Sequence, residues 1–148
     1  MSGSARQSAA VIILSLALMG SIMLCATERP SADYRQAMND LERTSQLMRH
    51  HARMVEPGGD FGYAWIESDA ASLKTAFEVA RSYWTSRRKG PAITFAQNAV
   101  SDATILERAA KAKHYDGVVA GVAGVLADCE PCHIAYREEL PDGTFAIR

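Results

Sequence analysis

The chain has 148 residues, 48% of them hydrophobic, and a formal net charge of −1. That length builds one domain with its own core rather than two. The near-neutral balance gives no polyanion-binding signal and argues against nucleic acid as a partner. No internal repeat or low-complexity tract is visible.

The N-terminus carries one positive charge, Arg6, ahead of an uncharged run from Ala9 to Ala26. This pattern reads as an export signal or a single membrane anchor, with everything after Glu28 outside the cytoplasm. The expected division is 1–28 as signal or anchor and 29–148 as a helical domain. Cleavage is poorly signalled. A cut after Ala26 places Leu24 at −3, and one after Gly20 places Leu18 there, where small residues are wanted. Lipidation at Cys25 is disfavoured by Leu24 before it. The run sits at the short end for a bilayer span. The expected location is the periplasm, soluble after cleavage or tethered to the inner membrane by an uncleaved helix.

Pro30-Ser31 signals a helix start, with Ser31 as cap and Asp33 in the first turn. Core-type residues then fall at 34, 38, 41, 45, 48, 52 and 55, the seam of a bundle helix that Pro57-Gly58-Gly59 ends. Asp60 to Glu67 reads as a connecting turn with Trp65 tucked under the bundle. Ser68 or Asp69 caps a second helix with the stripe Leu73, Ala76, Phe77, Ala80, Tyr83 and Trp84, stopped at Gly90-Pro91. A third helix covers Ser101 to Lys113, with a start as early as Ala92 left open, and buries Val100, Ala103, Leu106 and Ala110. A fourth runs from about Gly117 to Leu140 with the stripe Val119, Val122, Leu126, Cys129, His133, Tyr136 and Leu140. Pro131 removes one backbone bond within it, to the carbonyl of Ala127, and favours a kink. Four helices with short links predict an all-α, antiparallel four-helix bundle preceded by the apolar N-terminal helix.

Residues 129–133 read Cys-Glu-Pro-Cys-His. This spacing lets two thiols add to the two vinyl groups of a haem while the following imidazole reaches the iron. The expectation is one covalently bound haem c, attached through Cys129 and Cys132 with His133 as an axial ligand. Export agrees, because haem of this type is attached outside the cytoplasm. A thioredoxin-like site needs several strands after its motif, and only sixteen residues follow Cys132. A zinc site lacks a second Cys/His cluster. A plain disulfide leaves the adjacent histidine unused.

With these residues in view, the chain resembles the class II c-type cytochromes, the cytochrome c′ group, whose haem motif lies near the C-terminus of a four-helix bundle. The motif continues here as Cys129, Cys132, His133, Tyr136 and Arg137, and Tyr34-Arg35-Gln36 matches a pattern early in the family's first helix. The resemblance covers about residues 32–140. It implies that Arg137 lies beside the proximal histidine and that Arg35 pairs with a haem propionate, with Tyr34 and Tyr136 close by. It also implies dimers through the first two helices in many members.

The sixth iron position decides the function. A methionine there favours electron transfer, whereas an empty or apolar side leaves an iron that binds nitric oxide or carbon monoxide. In an antiparallel bundle His133 lies ~10 Å from the end of the last helix, Met38 ~9 Å and Met48 ~24 Å into the first. Geometry therefore ranks Met38 first and Met48 second. The family register is divided: counting from Tyr34 reaches Asn39, while Leu47-Met48 with His51 and Met54 gives a second local match favouring the deeper methionine. The leading expectation is a non-enzymatic monohaem electron carrier that meets a redox partner protein. A gas-binding cytochrome and a haem-bearing subunit of a membrane complex remain as alternatives. No acid/base pair or nucleophile constellation points to an enzyme.

Overall fold

The structure is a computed structural model that describes residues 28–148. Arg6 and the apolar run lie outside the described residues. Five helices make up most of the fold: α1 (Ala32–Ala52), α2 (Tyr63–Ser86), α3 (Gly90–Lys111), α4 (Tyr115–Ala127) and α5 (Cys129–Tyr136). A two-stranded antiparallel sheet follows, β1 (Arg137–Glu139) and β2 (Phe145–Ile147). The described chain is thus mostly helical, as expected, with a hairpin that was not.

Helix α1 starts where the sequence predicts. Ser31 caps it, its hydroxyl accepting from the Tyr34 amide at 3.3 Å. Ala37, Leu41, Thr44 and Met48 turn into the core, while the seam positions Met38 and Ser45 are only half-buried. The predicted seam therefore splits along its length: one flank packs, and the other borders a cleft.

Helix α2 begins several residues earlier than Ser68 or Asp69. Gly62 sits before it at φ 87°, a left-handed conformation that glycine adopts without a Cβ penalty. Trp65 is 40% exposed rather than tucked under the helices, and packs on the surface against Phe61 and His51. Asp69 is not a cap. It is buried inside α2, where its carboxylate lies 2.6 Å from His51 Nδ1 of α1. The six predicted stripe residues of α2 are all buried.

Helix α3 begins at Gly90, with Pro91 in its first turn, where the missing N–H costs nothing. The dipeptide that stops α2 therefore also starts α3. Small residues dominate its buried face: Ala92, Ala96, Ala99, Ala103 and Ala110 surround Leu106.

The long fourth helix is corrected at three points. It breaks at Asp128 into α4 and α5, and α5 ends at Tyr136 rather than Leu140. Its buried face is Val118, Gly121 and Val125, one position off the predicted stripe, and Val119 is 53% exposed. The glycines explain the rotation. A Cβ on Gly121 would lie 3.0 Å from the Leu106 side chain and 3.1 Å from its Cα. The smallest residues thus face α3, and α4 lies against its backbone. By length and composition alone Tyr115–Tyr136 is apolar enough to cross a bilayer, but it is also the segment that packs on α3 and carries Cys129 and Cys132.

Helices α1 with α2, α2 with α3 and α3 with α4 pack in sequence order, and α1 also meets α4. After α5, β1 and β2 pair with Arg137 opposite Ile147 and Glu139 opposite Phe145. Glu28 joins the free edge of β2, exchanging backbone hydrogen bonds with Ile147 at 3.1 and 2.9 Å. Glu28, placed with the signal or anchor from the sequence, therefore belongs to the folded unit.

Replacing Gly121 with Val forces α3 and α4 apart and is expected to cost about 1–3 kcal/mol. Gly90→Ala, where a Cβ meets nothing within 4 Å, is expected to be neutral or slightly stabilising. Urea unfolding of the two variants checks the contrast.

Candidate functional site

A cleft of about 640 Å³ opens between the N-terminal half of α1, the inner faces of α2 and α3, and the α5–hairpin unit. This size lies within the range of small-molecule and cofactor sites, about 300–1,000 Å³. Its inner wall is apolar: Leu41, Phe77, Ala80, Trp84, Ala96 and Ala99. The alanines are what leave the space, since larger side chains there would fill it.

Helix α5 brings Cys129, Cys132 and His133 to this cleft. Pro131 sits in the first turn of α5, where no amide hydrogen is required, and the chain yields just before it at Asp128. Both thiols are free, and Cys129 Sγ lies 3.9 Å from the Val125 carbonyl oxygen. Burial pushes both thiols up. Cys132 reaches about 11, helped by the negative charge that Cys129 and Asp128 can carry beside it. Partial burial and the Arg137 guanidinium lower the His133 pKa, against a smaller opposite pull from Glu42. The imidazole is therefore neutral at pH 7, the form that donates a lone pair to a metal.

Of the other residues singled out from the sequence, Met38, Arg35, Arg137 and Tyr34 all line the same cleft. Tyr34 is held by a stack on Tyr83, with ring centroids 3.9 Å apart, and by the edge of Trp84. Burial raises its pKa well above the usual phenol value. Arg35 donates to the Pro30 carbonyl at 2.6 Å. Arg137 lies over the Phe145 ring, 3.2 Å from guanidinium carbon to centroid. Asn39, the alternative family register, also reaches the cleft. Met48 does not: it is fully buried in the core. Tyr136 packs on Trp84 instead of facing the cleft, with centroids 5.0 Å apart.

Sequence reasoning missed the cleft wall built by the hairpin, including Phe145 and Ile147. The turn signal was present, because Pro141-Asp142-Gly143 is a typical turn run. Gly143 adopts φ 77°, and Asp142 Oδ1 accepts from the Thr144 amide at 2.9 Å. The His51–Asp69 pair was also missed, being eighteen residues apart on two helices.

Among the described residues, no group of three or more His, Cys, Asp or Glu converges as a metal-ion site. A macrocycle supplies most ligands to its own metal and asks the protein only for axial ones. Two thiols, an imidazole and a thioether lining one largely apolar cleft form a donor set suited to such a group. No known protein family, curated protein or solved structure matches the chain.

The raised Cys132 pKa makes a direct prediction for the cofactor-free chain. A thiol at about 11 rather than 9.0 holds about 100-fold less thiolate at pH 8. Alkylation of Cys132 at pH 8 is expected to be slower than that of a free cysteine by about 10-fold, because the more basic thiolate is also the better nucleophile, and to keep rising beyond pH 9. Mass-resolved alkylation rates across pH 7–11 check this.

Proposed function

We propose that the chain is a monohaem c-type cytochrome of the class II kind, with α1–α4 as its bundle, serving electron transfer in the periplasm or at the membrane surface. One observation carries the reading: Cys129, Cys132, His133 and Met38, chosen from the sequence, line a single cleft. Cys129 and Cys132 would hold the haem as thioethers, and His133 would be its proximal ligand. When bound, the haem supplies a one-electron couple at its iron.

The protein's own part is binding and environment. Leu41, Phe77, Trp84 and the alanines of α2 and α3 exclude water from one face. The neutral His133 needs no deprotonation before ligation. Arg35 and Arg137 offer positive charge at the cleft for the haem carboxylates. Met38 stands as sixth ligand or distal wall. Its partner is a redox protein, met as a free carrier or from an inner-membrane anchor.

A second reading shares the same cleft. The wall beside Met38 is apolar, Leu41, Phe77 and Ala99, and such a wall suits a five-coordinate iron that takes nitric oxide or carbon monoxide.

Optical spectra of the oxidised and reduced protein, with and without carbon monoxide, separate these outcomes. A haemochrome of haem c type is expected, lost covalently when Cys129 and Cys132 are replaced by Ala; its absence sinks both readings. Low-spin bands that turn high-spin in Met38→Ala support the electron carrier. A high-spin spectrum indifferent to Met38→Ala, with tight carbon monoxide binding, supports the gas-binding form. The intact mass of purified protein decides the anchor, because loss of about the first 26 residues removes it.

A further inference from the structure

Three arginines line the cleft, Arg35, Arg49 and Arg137, and two of them are fixed by uncharged partners. Arg35 is held by the Pro30 carbonyl and Arg137 by the Phe145 ring. Among the described residues, neither has a carboxylate within ion-pair distance. Glu42 and Asp128 also line the cleft and temper its charge without pairing to either guanidinium.

The contact between Arg137 and Phe145 follows from the hairpin register. Arg137 is opposite Ile147 and Glu139 opposite Phe145, so Arg137 and Phe145 are diagonal neighbours on one face. The backbone around Arg137 is itself tied down. Arg148 Nη2 donates to the carbonyls of Arg137 at 2.7 Å and Ile134 at 2.9 Å, and its amide donates to Tyr136 at 3.0 Å. A guanidinium over an aromatic face keeps its charge and its edge N–H groups, unlike one neutralised by a carboxylate.

We propose that Phe145 is a positioning residue that holds the Arg137 guanidinium at the cleft, its N–H edge free for an anionic group of the tetrapyrrole bound by Cys129, Cys132 and His133. The inference rests on the haem reading for its ligand, but not for the contact itself. The device is electrostatic: a cation fixed near the iron disfavours the more positive oxidised state and raises the potential. Bulk alone does not reproduce it, because leucine fills the space of a ring without attracting a cation.

The test uses the full haem-bearing chain with Phe145→Leu, Phe145→Trp, Arg137→Gln and the Phe145→Leu/Arg137→Gln double variant. Two readouts are taken, the midpoint potential and the ring-current shift of the Arg137 Hε proton by NMR. Expected are a fall in potential for Arg137→Gln, a fall of the same sign for Phe145→Leu, recovery with Phe145→Trp, and no further fall in the double variant. The ring-current shift is expected in wild type and Phe145→Trp and absent in Phe145→Leu. Wild-type potential and shift in Phe145→Leu overturn the proposal. So does a fall that persists in the Arg137→Gln background, which would make Phe145 a water shield. Should no haem attach, the haem reading fails by its haemochrome, while the Arg137 shift still decides the contact in the cofactor-free chain.

Discussion

Pro131 lacks an amide hydrogen, and its ring crowds the carbonyl four residues back. Within Cys129–His133 this disfavours a straight helix through the motif. The chain yields at Asp128 and restarts, with Pro131 in the first turn of the new helix. Leu126 before the break and Cys129, Cys132 and His133 after it line one cleft. Because α5 is short, the chain then leaves it at Tyr136 and folds back as a hairpin, which supplies another cleft wall. The cysteines and the imidazole are thus placed by the restart at Asp128, and Phe145 by the hairpin turn that follows.

The rest of the molecule gives that segment something to lean on. Glycines in α4 let it lie against α3, and Leu106 fills the groove between them. Alanines on α2 and α3 then meet the other flank without filling it. Close packing in one place and deliberate thinness in another come from the same economy of side-chain size. Trp84 anchors the boundary: it is almost wholly buried and touches Tyr34, Tyr83 and Tyr136, so α1, α2 and α5 share one aromatic cluster.

Much of this was legible in the sequence wherever one residue type decides an outcome. Ser31 caps α1 because its hydroxyl suits an orphan amide, and the α2 stripe is buried as its period demands. The motif could be named without coordinates, because thiol spacing is local; the ranking of Met38 leaned on a last helix reaching Leu140, whereas α5 ends at Tyr136, and Met38 lines the cleft all the same. What escaped was set by partners distant in sequence. The α4 face turned by one position because a close neighbour favours glycine over valine, which a hydrophobic stripe cannot express. The start of α2 depended on Gly62 taking a left-handed conformation. β1, Arg-Glu-Glu, has little intrinsic preference for a strand; it pairs because its turn and β2 are there to meet it.

The bridge between Glu28 and Ile147 joins the two ends of the described chain beside the cleft. Arg87 reinforces it, pairing with the Glu28 carboxylate at 2.5 Å. Because Ile147 pairs with both Glu28 and Arg137, opening the hairpin frees both ends of the described chain at once and removes the Phe145 wall of the cleft with them.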